Sequence, residues 1–97
     1  MANFTTRVEL HRATGDDYER LHDQMARHGF RRTVPGFDGQ GSQHTYHLPT
    51  AEYDSVSDGS AASVRDVAKR VADGVRPDAW VLVTKVADRS WHTAVAA

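Results

Sequence analysis

The sequence contains no cysteine, which excludes disulfide frameworks, thiolate metal sites and cysteine nucleophiles. No apolar run approaches the roughly 18 residues that a membrane span requires. The opening MANFTTRVEL has neither a basic n-region nor an apolar h-region, so no secretory signal is expected and the predicted location is cytoplasmic, with no membrane partner. Neither sign of charge is in excess: 12 Lys and Arg stand against 13 Asp and Glu, a net charge of −1. That balance gives no global pull toward nucleic acid or anionic lipid. The sequence also lacks a Gly-rich phosphate loop, a G-x-S-x-G elbow and any nucleotide-cofactor signature, so no cofactor is expected. Six histidines are present, but none form H-x-x-x-H or H-E-x-x-H. His44 and His47, three apart in a predicted strand, project to opposite faces, and no metal site is expected.

What is present is enough chain for one domain, residues 1–97, able to bury roughly 65% of its unfolded surface. From Phe4 to His11 the side chains alternate, with Phe4, Thr6, Val8 and Leu10 on one face and Thr5, Arg7, Glu9 and His11 on the other; this predicts a half-buried strand. Thr14-Gly15-Asp16-Asp17 has capping-box spacing, and Tyr18, Leu21, Met25 and Ala26 recur at helical spacing before Gly29, predicting a helix over about 15–28. Phe30 to Val34 reads as a short strand, 35–42 as a hairpin loop, and Gln43 to Leu48 as the returning strand. Residues 50–62 read as a loop with a short strand at Tyr53 to Val56. Val64, Val67, Ala68, Val71, Ala72 and Val75 form an apolar stripe, predicting a second helix from about 63 to 74. Trp80 to Val86 is the expected central strand.

The order β-α-β-β-α-β predicts an α+β fold of ferredoxin-like type. Two helices would lie on one face of a four-stranded antiparallel sheet, followed by a short C-terminal extension. Trp80, Leu82, Thr84 and Val86 form one apolar set of the last strand and Val81 and Val83 another, although helices cover only one face. A homodimer is the expected cover, and the tail around Trp91 is the alternative.

The neutral total conceals a polarised chain: residues 1–34 carry +1, residues 35–62 carry −4 and residues 63–97 carry +2. Arg27-His28-Gly29-Phe30-Arg31-Arg32 is the densest basic segment. Cations beside an aromatic suit phosphate pairing and base stacking, whereas cations at a helix C-terminus also complement its dipole.

The segments Asn3–His11, Asp17-Tyr18-Glu19, Met25–Phe30 and Thr45–Tyr53 resemble the GhoS-like family of small bacterial proteins. That family's named member is the antitoxin of a type V toxin–antitoxin pair, an endoribonuclease that cleaves the toxin's messenger RNA. The resemblance implies a ferredoxin-like fold and binding, with cleavage, of single-stranded RNA. By register from Gly29-Phe30, the family's basic helix-one position falls on His22, with Arg20 beside it. The expected proton-transfer groups are His22 and His11, and the expected phosphate contacts are Arg7, Arg20, Arg27, Arg31 and Arg32. The rival expectation is a non-catalytic homodimeric module that binds protein partners through its open sheet face.

Overall fold

The first strand, β1 (Ala2–Glu9), alternates as its sequence predicts. In the computed structural model, which describes residues 1–96, Phe4, Thr6 and Val8 are buried while Arg7 and Glu9 stay exposed. The chain then forms α1 (Gly15–Arg27), β2 (Thr33–Phe37), β3 (Gln43–His47), β4 (Glu52–Ser57), α2 (Ala61–Asp73) and β5 (Trp80–Lys85). Two helices and five strands make a small α+β domain with its strands in two sheets. One is antiparallel in the order β4-β1-β5, and the other is the β2-β3 hairpin.

Thr14 caps α1 as expected: its hydroxyl accepts from the Asp17 amide and the Asp17 carboxylate accepts from the Thr14 amide, at 3.2 and 3.0 Å. Gly29, at φ +85°, turns the chain out of the helix in a conformation other residues rarely adopt. The second helix starts earlier than predicted. Its cap is Ser60, and Ser63 occupies the reciprocal position that a glutamate or glutamine usually fills.

Both helices lie on the inward side of the three-stranded sheet. The core joins Phe4, Val8 and Leu10 to Leu21 and Met25 of α1, Tyr53 of β4, and Val64, Ala68, Val71 and Ala72 of α2. Burial of this apolar surface supplies the main stabilisation. Thr6 lies among these residues, opposite Tyr53 on one side and Val83 on the other. Its hydroxyl has no partner among the described residues. Thr6→Val should therefore raise the unfolding free energy by about 1 kcal/mol and the melting temperature by about 5 °C. A thermal melt checks this, and a lowered midpoint would show that the hydroxyl is hydrogen-bonded.

Three features of the strands also differ from the sequence prediction. The expected single four-stranded sheet is replaced by three strands plus a separate hairpin. The strands expected in the main sheet at 30–34 and 43–48 are replaced by a hairpin of 33–37 and 43–47, which among the described residues pair only with each other and with the tail. The partner of β1 is instead 52–57, read from sequence as a loop holding a short strand. Second, the expected strand at Phe30 to Val34 is shifted. Phe30 enters the core, and Arg31 makes a single antiparallel bridge to Asp54, with backbone bonds of 2.8 and 2.7 Å. Third, β5 is an edge strand rather than the central one; β1 holds the centre.

The tail also has a defined path. Val86 still pairs with β1, its amide donating to the Asn3 carbonyl at 2.9 Å. Arg89 then crosses the open face, donating to Thr5 Oγ1 at 2.9 Å and to Asp54 Oδ1 at 2.8 Å. Beyond it the chain runs alongside β3, the Ala96 amide donating to Thr45 and the His47 amide to Ala94. Trp91 packs on Tyr46 and over Gly36, where an added Cβ would lie 2.7 Å from the indole. The tail therefore covers the Thr5–Asp54 half of the open face and leaves Trp80 and Leu82 bare, at 67% and 65% exposure. No helix among the described residues is long and apolar enough to cross a membrane.

Candidate functional site

Arg20 and Arg27 are seven residues apart, two helical turns, so α1 presents both on one flank with Asp23 and Gln24 between them. Across from this flank, α2 contributes Arg70, Val71 and Gly74. Together with His28 and Val75 these residues enclose a groove of about 400 Å³ between the helices. Neither Arg27 nor Arg70 has an acidic partner among the described residues. Arg20 donates to Asp17 Oδ1 at 2.7 Å, with its side chain still largely in solvent. Asp17 is a fixed anion behind it. Its carboxyl is held below the ordinary value first by the Thr14 amide and then by Arg20 and Arg76. The groove thus holds three guanidiniums and an imidazole against the single carboxylate of Asp23.

The other predicted phosphate contacts are dispersed. Arg7 is on the opposite side of the sheet, between Glu52 and Leu82. Arg31 donates to Asp54 Oδ2 at 2.8 Å and serves as a structural clasp. Arg32 is exposed beside the His22–Tyr53 pair, close enough to influence both titrations. Of the five arginines expected from sequence, the fold brings only Arg20 and Arg27 to one groove. Arg70 escapes a sequence reading because it flanks the apolar stripe of α2 and carries no local motif. Only the packing of the two helices places it opposite Arg27.

The two nominated histidines lie in unlike surroundings. His22 is buried beneath α1, and its Nδ1 shares a 2.6 Å hydrogen bond with the hydroxyl of Tyr53, a residue with no exposed surface. The Tyr18 ring lies tilted to the imidazole, with ring centres 6.5 Å apart. Burial pushes His22 below its ordinary value of 6.5, assisted by Arg32 and opposed by Glu19 and Asp23, and burial likewise pushes the Tyr53 phenol up. At neutral pH the pair is therefore an uncharged core contact. His11, by contrast, lies just beyond β1. It approaches Glu9 at 3.3 Å and meets Trp80 edge-on with ring centres 4.8 Å apart. It lines a separate cavity with Arg12, Arg76, Pro77 and Asp78. The two histidines share neither a hydrogen bond nor a described cavity. Among the described residues no cluster of three side chains is placed to hold a metal ion.

No family model matches this chain, and no curated protein matches it.

Proposed function

We propose that this protein binds single-stranded RNA, with phosphates lying in the groove between α1 and α2. The observation that carries the reading is the convergence of Arg27 and Arg70, both without acidic partners among the described residues, on one groove with Arg20 and His28. Guanidiniums that are not neutralised by neighbours gain most from phosphate, since each contact releases condensed counterions. The ferredoxin-like, GhoS-like assignment belongs to the same proposal. In support, β1 sits between β4 and β5 under two helices, and the Arg31–Asp54 bridge occupies the place of a fourth strand. Cleavage and an antitoxin role rest on the resemblance. Of the nominated histidines, His11 is the one a substrate reaches, while His22 is enclosed.

The test is fluorescence anisotropy of a labelled oligoribonucleotide titrated with protein over a range of salt. The expected result is salt-dependent binding. Arg27→Ala/Arg70→Ala should weaken it roughly tenfold and flatten the log–log salt slope by about 1.4, or about 0.7 for each single-strand phosphate no longer neutralised. Arg65→Ala, on an arginine already paired with Asp66 and outside the groove, should leave both unchanged. Absence of binding at 50 mM salt, or an unaltered slope in the double variant, overturns the proposal.

A further inference from the structure

We infer that β5 is the contact strand of a two-fold homodimer in which the two sheets join edge to edge through Val81, Val83 and Lys85. This inference is independent of the RNA reading and rests on hydrogen-bond phase and on the composition of the exposed face.

Val86 donates its amide to Asn3 of β1. In an antiparallel ladder the inward-bonding residues alternate, so Thr84, Leu82 and Trp80 direct their backbone groups toward Thr5, Arg7 and Glu9. Val81, Val83 and Lys85 therefore point their N–H and C=O groups away from the sheet. Among the described residues no backbone partner meets them, because β5 ends the order β4-β1-β5. The opposite margin of the sheet is different: there Arg31 takes both outward groups of Asp54. The β5 edge also carries no proline and only one lysine, at its end, so it lacks most of the devices that keep edge strands apart.

The chain's own tail is not the cover, since Arg89 leads it toward Asp54 and residues 94–96 are bonded along β3. A second copy fits instead, by self-complementarity. With the two-fold axis at Val83, that residue faces the partner's Val83, and Val81 faces the partner's Lys85. These pairs supply about six main-chain hydrogen bonds. Leu82 then lies opposite the partner's Thr84 and Trp80 opposite the partner's Val86, in the pairs whose side chains approach most closely. Lys85 never meets its own symmetry mate, so no like charges oppose each other. Trp80 and Leu82 are each about two-thirds exposed. Covering both on two copies, together with the strand edge, removes roughly 1,000–1,200 Å² from water, the lower bound for a specific interface.

Sedimentation velocity between micromolar and a few hundred micromolar protein tests the inference. The expected result is a concentration-dependent dimer whose Kd rises at least tenfold in Leu82→Glu. That position is exposed, so far-UV circular dichroism should confirm an unchanged fold. In a mixed-label NMR sample, an intermolecular Hα–Hα contact should join Leu82 to the partner's Thr84. A monomer at a few hundred micromolar, a dimer insensitive to Leu82→Glu, or a dimer without that Hα–Hα contact overturns it.

Discussion

Replacing Asp54 with alanine should lower the unfolding free energy by about 3 kcal/mol, because removing one member of a buried ion pair strands the other charge. The Asp54 side chain has no exposed surface, yet it receives Arg31 and Arg89 at 2.8 Å each and Asn3 at 3.4 Å. Both guanidiniums keep some contact with solvent, which holds the effect at the lower end of the buried-pair range. Arg89→Ala should cost less, about 1–2 kcal/mol, since Arg31 still accompanies the carboxylate. The double variant should fall short of the sum of the single ones. Urea denaturation of the four proteins measures this. Equal midpoints for wild type and Asp54→Ala would show that the clasp contributes nothing.

The second large effect is expected at His22. His22→Ala should destabilise the protein by about 3 kcal/mol, combining a cavity beside the Tyr53 ring with an orphaned buried hydroxyl on Tyr53. Tyr53→Phe, which keeps the ring, should cost about 1–2 kcal/mol. The pH dependence follows from the direction of the shift. The folded state holds His22 below 6.5, so protons bind the unfolded chain more readily. The stability contributed by His22 is thus complete above about pH 6.5 and declines as the pH falls from there toward its folded value. The difference in unfolding free energy between wild type and His22→Ala should therefore narrow on acidification from pH 7.5 to 5. A constant difference would contradict the assignment of His22 as a buried neutral imidazole. A loss of RNA cleavage in this variant, taken alone, would report instability before it reported chemistry.

The elements that form where the sequence places them are those whose information is local. Thr14 and Asp17 are three residues apart and cap α1 by direct exchange of hydrogen bonds. The Val64, Ala68, Val71 and Ala72 stripe buries one face of α2 whatever lies beneath it. The start of α2 is displaced because Ser63-Val64-Arg65-Asp66 matches the usual box, whereas Ser60 and Ser63 form it with two hydroxyls. The edge strand β4 is hidden for a different reason. Asp54 is a poor strand former, and a carboxylate in mid-strand reads as a loop until Arg31 and Arg89 neutralise it. Those residues are 23 and 35 positions away. The same limit applies to the groove. The spacing of Arg20 and Arg27 is visible in one helix, but Arg70 joins them only through helix packing. From sequence, His22 is an expectation that rests on a resemblance alone. Nothing in its immediate neighbours announces that Tyr53, 31 residues on, seals it inside.

The clasp between Arg89 and β1 also bears on the order in which the molecule assembles. Its bond to Thr5 spans 84 positions, so closing it carries a large loop-entropy cost that local contacts such as the helix caps do not. The tail contributes none of the described core residues, so detaching it exposes less apolar surface than opening the main sheet. Releasing Arg89 with the central sheet intact therefore costs less than global unfolding, and it opens the Thr5–Asp54 half of the solvent-facing side beside the already bare Trp80 and Leu82.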